Sequence, residues 1–326
     1  MTRVLVTGVA GFIGFHVAKT LLEKGEVVVG IDNLNSYYNV ELKEARLNQL
    51  SVYPNFHFYK EDISNAQAIE KIWKQEGDIR HVVHLAAQAG VRYSLMDPYP
   101  YIASNLMGFT VILERCRYQS DFKHMVYAST SSVYGNNKLL PFTENQQTDS
   151  PISLYAATKK ANELMAQSYW HLYQFPVTGL RLFTVYGPWG RPDMALFKFT
   201  KSILDNIPID VYNNGDMARD YTYVDDIVNG ILKALERPYF PTKDGPHPIY
   251  NLGNKKRENL LDFIDVLEKA LNKKAIKNFL PLQAGDILET FSDISKAEKE
   301  LGYSPLVPIT EGVPRFVNWY HSYYKL

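Results

Sequence analysis

Residues 3–14 read RVLVTGVAGFIG, a short apolar run followed at once by Gly8, Gly11 and Gly14 in the spacing GxxGxxG. The apolar run has the length and character of a buried parallel strand. The glycines permit a tight turn and a close approach of the backbone to a pyrophosphate, which rests on the N-terminus of the following helix. Because residues 15–24 have a helical pattern, the stretch predicts the first strand–turn–helix unit of a dinucleotide-binding fold.

A second apolar run, residues 27–31, ends at Asp32, which lies about 20 residues beyond the glycines. A carboxylate at this position accepts hydrogen bonds from the adenosine ribose hydroxyls. The same carboxylate would repel a 2′-phosphate, and the sequence therefore favours NAD over NADP.

Strands and helices continue to alternate up to residue 182. We expect helices at residues 40–49, 66–75, 102–117 and 154–172, and strands at residues 57–59, 81–84, 125–128 and 177–182. Such alternation predicts an α/β fold with a doubly wound parallel sheet of the Rossmann type. Ligands bind beyond the carboxyl ends of the strands in such sheets, so residues 62–63, 85–87 and 129–132 are expected at the nucleotide crevice.

The alternation breaks after Phe183, where loops rich in proline and glycine separate short strands and helices. We expect two domains. Residues 1–182, with roughly residues 221–251 returning to the sheet, would form the NAD-binding domain. Residues 183–220 and 252–326 would form a smaller mixed α/β domain that binds the substrate.

The composition excludes several classes of protein. The 326 residues are 46% hydrophobic and 21% charged, which is typical of a globular chain, and 35 basic residues balance 35 acidic ones. No basic run indicates a nucleic-acid partner, and no apolar run is long enough to span a membrane. The single cysteine, Cys116, excludes a disulfide framework, and the eight histidines form no metal-like cluster. The first strand begins at Arg3 and leaves no room for a signal peptide, so we expect a cytoplasmic protein. Because the histidines are scattered, we also expect a protein without a metal.

The motif Tyr155-Ala-Ala-Thr-Lys159 follows the hydroxyl run 129–132 by about 25 residues. A tyrosine ionises near pH ~10 and is a poor base at neutral pH without help. Lys159, four residues later on a helix, lies on the same face as Tyr155. Its charge, together with that of an oxidised nicotinamide, favours the phenolate. The spacing YxxxK is weak evidence alone, but with the glycines and Asp32 it predicts acid–base chemistry beside a nicotinamide.

Taken together, the glycine motif, Asp32, the hydroxyl run and YxxxK resemble the extended short-chain dehydrogenase/reductase family over essentially the whole chain. Within it, the stretches 30–38, 84–94, 190–195 and 219–227 are similar to those of UDP-glucuronate 4-epimerases.

This resemblance implies roles for individual residues. Tyr155 would be the catalytic base and acid, Lys159 would bind the nicotinamide ribose, and Thr130 would hydrogen-bond the sugar O4. Arg219 would bind the diphosphate of the substrate, and Asp286 the uridine ribose.

The residues expected at the cofactor come from two sources, the strand-end positions in the sequence and the resemblance to the family. They are Gly8, Gly11, Phe12, Ile13, Gly14, Asp32, Asn33, Asp62, Ile63, Leu85, Ala86, Ala87, Asn105, Tyr155 and Lys159. For Asn105, a buried structural amide is nearly as good an interpretation.

Two serines reduce the number of reactions to be expected. Related dehydratases have an Asp-Glu pair where Ser131 and Ser132 stand, and related decarboxylases have a glutamate at the position of Ser132. Without these acids, the simplest outcome is inversion at C4 through a transient 4-keto sugar, with UDP-glucuronate and UDP-galacturonate as the expected pair. Ser131, Ser132, Thr184 and Arg191 would hold the uronate carboxylate.

Three alternatives remain open at this point. The first is a 4-epimerase of UDP-glucose or a UDP-N-acetylhexosamine, the second is a dehydratase or decarboxylase, and the third is a dinucleotide-binding protein without catalysis.

The resemblance also implies a homodimer that pairs through residues 102–117 and 154–172. Tyr169, Trp170 and Tyr173 would suit either that interface or the core.

Overall fold

Thirteen strands lie within residues 2–238, 245–282 and 287–326, which are the residues that the computed structural model describes. They are β1 (Arg3–Thr7), β2 (Val27–Asp32), β3 (Phe56–Lys60), β4 (His81–His84), β5 (His124–Thr130), β6 (Val177–Leu182), β7 (Thr184–Tyr186), β8 (Ile209–Tyr212), β9 (Ala218–Arg219), β10 (Tyr221–Tyr223), β11 (Ile249–Leu252), β12 (Glu258–Asn259) and β13 (Lys277–Leu280).

Ten α-helices lie in the same described ranges. They are α1 (Phe12–Glu23), α2 (Val40–Leu50), α3 (Ala66–Glu76), α4 (Phe109–Tyr118), α5 (Leu154–Tyr173), α6 (Ala195–Leu204), α7 (Val224–Leu235), α8 (Leu260–Leu271), α9 (Ser295–Leu301) and α10 (Ile309–Tyr324). Across the described residues, none of the helices has the length and apolar character needed to cross a membrane.

Seven of the described strands form one parallel sheet in the order β11-β6-β5-β4-β1-β2-β3. From β1 the chain passes outward through β2 and β3, and it then returns to place β4 on the other side of β1. The order reverses between β1 and β4, and their carboxyl ends therefore open a crevice at this point. The predicted doubly wound sheet is confirmed.

The apolar character of the strands follows from burial on both faces of the sheet. In β1, Val4 and Val6 pack into the cluster that contains α1, whereas Leu5 between them packs into the cluster that contains residues of α3 and α4. Successive side chains of a strand point to opposite faces, and a covered sheet therefore needs apolar residues at every position.

The predicted helix over residues 102–117 differs in its first part, because Tyr101–Gly108 forms a π-helical stretch that continues into α4. Asn105 lies inside this stretch and is held from two sides. Its side chain accepts from the amide of Gln88 at 2.8 Å, and its carbonyl oxygen accepts from Asn162 at 2.7 Å. These tertiary bonds stabilise the wider turn, which the sequence pattern could not predict.

The remaining described strands form three small two-stranded sheets, β7 with β10, β9 with β12 and β8 with β13. Helices α6 and α10 pack against α8 in this part of the protein. In contrast, α7 packs on α1 and β5, and β11 pairs with β6. Residues 224–235 and 249–252 thus lie on the large sheet, and the limits of the two domains stay a prediction.

Gly14, in the first turn of α1, lies too close to the preceding glycine turn to carry a side chain. A Cβ atom on Gly14 would lie 2.1 Å from the carbonyl oxygen of Gly8, which itself has φ +71°. We predict that Gly14→Ala lowers the free energy of unfolding by about 3 kcal/mol or more, because backbone must move. Gly25→Ala is the control: Gly25 also has positive φ, but open space surrounds it, and the expected cost is about 1 kcal/mol.

Urea unfolding monitored by circular dichroism measures both changes. Equal losses for the two variants would contradict the close contact as the reason for Gly14.

Candidate active site

A cavity of about 930 Å³ opens at the carboxyl ends of the parallel strands and extends toward β8 and β9. It brings together nearly all of the residues that the sequence predicts for the site. These are Gly8, Gly11, Phe12, Ile13, Gly14, Asp32, Asn33, Ile63, Leu85, Ala86, Ala87, Thr130, Ser131, Ser132, Tyr155, Lys159, Thr184, Arg191 and Arg219.

The glycine turn forms one end of the cavity. The amide of Gly8 donates to Ile31 at 2.8 Å, and the amide of Gly11 donates to the carbonyl oxygen of Gly8 at 2.9 Å. Helix α1 begins directly after Gly11, which has no side chain to cap it. The first amide groups of α1 are thus positioned for an anionic ligand, and the backbone surface is bare enough for a pyrophosphate to approach.

Asp32 lies at the end of β2 beside this turn. Its Oδ2 accepts from the amide of Ala10 at 3.1 Å, and its Oδ1 accepts from the amide of Leu34 at 2.9 Å. Burial raises the pKa of Asp32, while these amides and the charge of Lys43 act in the opposite direction. Each carboxylate oxygen retains acceptor capacity for a ribose hydroxyl, so turn and carboxylate fit a dinucleotide.

Two basic residues of α2 belong to the site, although the sequence analysis did not select them. Lys43 is buried, lines the cavity, and donates to the backbone oxygen of Asn35 at 2.7 Å. Arg46 donates to the carbonyl oxygen of Ala10 at 2.8 Å and to that of Trp189 at 2.7 Å. Lys43 and Arg46 are three residues apart, so both lie on one face of α2. This spacing was the signal by which the sequence could have identified them.

Tyr155 and Lys159 occupy one face of α5, which the hydroxyl of Ser153 caps by accepting from the amide of Ala156 at 3.1 Å. Lys159 is only 3% exposed. Burial lowers the pKa of Lys159 to about 8, and the charge of Glu163 partly opposes this change. The predicted pair is therefore assembled with its ammonium inside the protein.

Opposing influences act on the pKa of the Tyr155 phenol. Burial raises the pKa of Tyr155, although the charge of Arg191 and a hydrogen bond with Thr130 act in the opposite direction. A further positive charge is needed to favour the phenolate, and an oxidised nicotinamide carries one. The chemistry of these donors thus fits NAD+ better than an uncharged ligand.

A buried ion pair lies behind the catalytic face of α5. Glu163 accepts from the hydroxyl of Ser129 at 2.7 Å and forms two bonds with Arg181, from Nε at 2.8 Å and from Nη2 at 2.9 Å. This arrangement joins β5, β6 and α5, and it fixes a negative charge one helical turn beyond Lys159.

Hydroxyl groups and one guanidinium form the part of the cavity next to Tyr155. The hydroxyl of Thr130 donates to Ser132 at 3.2 Å, and the Ser132 amide donates back to Thr130 at the same distance. Ser131 and Thr184 also line the cavity, as does Arg191, whose charge reaches Tyr155. The structure thus places these groups in one cavity, and their roles stay predictions.

Two of the predicted residues that the structure describes, Asp62 and Asn105, do not line the cavity. Asp62 lies behind Asn33, whose amide donates to it at 2.8 Å. Asn105 is buried, and its amide group is engaged by Gln88 and Thr158, which favours the structural interpretation of this residue. Asp286 lies outside the described residues.

Arg219 stands at the far end of the cavity, where its Nη1 donates to the backbone oxygens of Ala218 at 2.9 Å and Leu288 at 3.0 Å. In the part of the chain that the structure describes, no three His, Cys, Asp or Glu side chains are grouped as metal ligands.

Comparisons with known proteins agree with this geometry. The sequence profile of the NAD dependent epimerase/dehydratase family matches residues 4–253. UDP-glucuronate 4-epimerase 1 of Arabidopsis thaliana is 46% identical over 332 residues, which cover 98% of this chain and 77% of that protein.

Two solved structures are similar over almost the whole chain. The UDP-glucuronic acid 4-epimerase of Bacillus cereus in complex with UDP-glucuronic acid and NAD has a TM-score of 0.91 and 37% identity, covering 99% of this chain and 100% of that one. The UDP-glucose 4-epimerase of Thermotoga maritima with UDP-glucose has a TM-score of 0.87 and 31% identity, with the same coverage of 99% and 100%.

The buried ammonium of Lys159 makes stability depend on pH. Its pKa is about 8 in the folded protein, below the value of about 10.4 for an unfolded chain. Below about pH 8 both states are protonated, and the folded state carries the full cost of burial, on the order of 3 kcal/mol. Between about pH 8 and 10.4 the unfolded state holds more protons, so stability rises with pH.

We therefore predict that Lys159→Met is more stable than the wild type near pH ~7, and that this difference shrinks toward pH ~10. Urea unfolding at both pH values measures it. Lys299→Met, at an exposed position, is the control and should change little at either pH. A stability difference of Lys159→Met that is constant with pH would contradict the assignment.

Proposed function

Because the chain belongs to the NAD dependent epimerase/dehydratase family, we propose that it inverts C4 of a UDP-hexuronate and interconverts UDP-glucuronate and UDP-galacturonate. One observation carries the proposal. Tyr155, Thr130 and the cationic Arg191 share one cavity, and the adjacent positions 131 and 132 carry serine hydroxyls instead of acids. This set can remove and return a proton and can also hold a carboxylate.

The cofactor of this family is NAD, and residues of the cavity are suited to hold it. The turn from Gly8 to Gly14 would bind the pyrophosphate, Asp32 the adenosine ribose, and Lys159 the nicotinamide ribose. Bound NAD+ supplies a group that can accept a hydride from C4 of the sugar and give it back. The complete cycle therefore involves no net oxidation.

Tyr155 would carry the proton transfers. Its phenolate oxygen takes the proton of the O4 hydroxyl as C4 becomes a carbonyl carbon, and Thr130 orients O4 by a hydrogen bond. The ammonium of Lys159 stabilises the phenolate form through its charge. After the sugar has turned its opposite face toward the cofactor site, Tyr155 returns the proton to O4, and the product has the inverted configuration.

Turning of the sugar requires a fixed anchor elsewhere in the substrate. Arg219 lies at the other end of the cavity from the glycine turn, and its guanidinium suits the diphosphate of UDP. The nucleotide can thus stay bound while the hexose rotates. We also propose that Asp286 binds the uridine ribose.

The uronate carboxylate poses an additional problem, because the 4-keto sugar is a β-keto acid that can lose CO2. The groups that face it would be Ser131, Ser132, Thr184 and Arg191. Hydroxyl donors fix the direction of the carboxylate, and the guanidinium stabilises its charge. This requirement favours a uronate over the UDP-glucose bound by the Thermotoga maritima relative, since only a uronate presents a carboxylate to these hydroxyls and to the guanidinium.

The division of the chain into domains is part of this proposal. Residues 1–182 with roughly 221–251 would bind NAD, and residues 183–220 with 252–326 would bind the UDP-sugar. The packing of α7 on α1 and the pairing of β11 with β6 support it. We also propose a cytoplasmic location, which is supported by the presence of a single, buried cysteine that has no second cysteine in the chain with which to form a disulfide.

We further propose a homodimer that forms through Tyr101–Gly108, α4 and α5, which lie side by side. Ile102, Met107, Leu164 and Leu172 on these helices are exposed although they are large and apolar. A second copy can cover this surface because a two-fold axis brings the same helices together. Trp170 lies in the core and does not contribute to the surface.

The activity is tested with purified protein, UDP-glucuronate and NAD+, and the products are followed by proton NMR. We expect UDP-galacturonate to appear without accumulation of NADH. Tyr155→Phe should reduce turnover by about 10³-fold or more, because the proton acceptor is lost, while NAD binding measured by calorimetry remains. Conversion of UDP-glucose in preference to UDP-glucuronate would contradict the choice of substrate, and full turnover by Tyr155→Phe would contradict the mechanism.

The dimer is tested by light scattering coupled to size exclusion. The double variant Met107→Glu and Leu164→Glu should elute as a monomer, because the charges would be buried in the interface. Leu306→Glu changes an exposed leucine elsewhere and should leave the mass unchanged. A wild-type mass of one chain would refute the dimer.

A further inference from the structure

Arg191 is held in place by a neighbouring carboxylate. Its side chain is 23% exposed and lines the cavity beside Tyr155. The guanidinium Nε donates to Oδ1 of Asp193 at 3.0 Å, and Nη2 donates to Oδ2 of the same residue. This bidentate pair orients the plane of the guanidinium and leaves Nη1 outside the pair.

Asp193 is in turn held by a residue from a distant segment of the chain. The hydroxyl of Tyr37 donates to Oδ2 of Asp193 at 3.0 Å. Tyr37 belongs to the segment between β2 and α2, so this bond connects the nucleotide end of the cavity with the segment that carries Arg191. Burial raises the pKa of Tyr37 to about 12, which keeps its hydroxyl protonated as a donor.

The position of Tyr37 is itself determined by close packing. A Cβ atom on Gly90 would lie 2.3 Å from the Tyr37 hydroxyl, and Gly90 has φ +103°. The ring of Tyr37 also packs against that of Tyr93, with 4.8 Å between the ring centroids. A tyrosine that is confined in this way has little freedom to move, and neither has the carboxylate to which it donates.

The function proposed above requires a rigid partner for the substrate carboxylate. In loss of CO2, the C5–C6 bond breaks while its electron pair passes toward the C4 carbonyl oxygen, CO2 leaves with C6, and C5 takes a proton from solvent. The bond breaks readily only when it is aligned with the π orbitals of the carbonyl. A guanidinium that is free to swing would let the carboxylate rotate into this alignment.

We propose that Asp193 and Tyr37 form a clamp that positions Arg191, and that this clamp determines whether the keto sugar is epimerised or loses CO2. Asp193 and Tyr37 are positioning residues, since they act through Arg191. The inference rests on the proposed function, and it names two residues to which the sequence analysis assigned no role, although both lie in stretches that it selected.

The test is the ratio of the decarboxylated products to UDP-galacturonate formed from UDP-glucuronate, measured by proton NMR. The decarboxylated products are the UDP-4-ketopentose and the UDP-pentose that arises when the hydride returns to its C4. We expect Asp193→Ala to raise this ratio by about tenfold or more, and Tyr37→Phe, which keeps the ring, to raise it by about threefold. A variant that is merely less folded makes less of both kinds of product in proportion, so the ratio reports positioning rather than stability.

Asp78→Asn is the matched control, because Asp78 forms an ion pair with Arg80 at the same two-residue spacing on the surface. Its product ratio should equal that of the wild type. Asp193→Asn keeps the shape of the side chain and remains informative if the alanine variant does not fold. An unchanged ratio in both Asp193 variants and in Tyr37→Phe, with epimerisation retained, would overturn the clamp.

Failure of the proposed function gives a different result. If the wild type forms no UDP-galacturonate, the clamp is tested by binding instead. Calorimetry then measures the affinities of the wild type and of Asp193→Ala for UDP-glucuronate and UDP-glucose. A smaller preference for the uronate in Asp193→Ala would support the clamp, and an equal preference in wild type and variant would overturn it.

Discussion

A buried ammonium group, that of Lys159, is the constraint on which the rest of the site depends. A cation inside a protein is unfavourable unless an opposite charge lies near it, and Glu163 supplies that charge from the same helix. Glu163 would itself be an uncompensated charge without Arg181 and Ser129. The catalytic face of α5 is consequently connected to β5 and β6 by charge as well as by packing.

The two ends of the cavity are connected by side chains that lie between them. Arg46 binds backbone oxygens of the glycine turn and of the segment before Arg191, and Tyr37 reaches Asp193 from the nucleotide end. Cofactor site and sugar site are therefore parts of one structure, although they belong to segments far apart in the sequence. This arrangement suits a reaction in which a hydride leaves a carbon while a proton leaves the hydroxyl group on that carbon.

Much of the fold could be predicted because its signals are local. The strands are apolar at every position since both faces of the sheet are covered, and YxxxK places Tyr155 and Lys159 together by helix geometry alone. Contacts between distant segments could not be predicted in this way. The ion pair of Glu163 with Arg181, the widened turn around Asn105 and the bond from Tyr37 to Asp193 depend on tertiary packing. Lys43 and Arg46 looked like ordinary helix residues for the same reason.

The contacts of Arg46 bear on how such a protein can diverge. Three of its four hydrogen-bond acceptors are backbone carbonyl oxygens, those of Ala10, Trp189 and Gly190, and only the hydroxyl of Tyr38 belongs to a side chain. A guanidinium that binds main-chain oxygens of a loop does not depend on which side chains the loop carries. Side chains on both loops can thus be exchanged during evolution, and new sugar specificities can arise, while the spacing between the two loops is inherited unchanged.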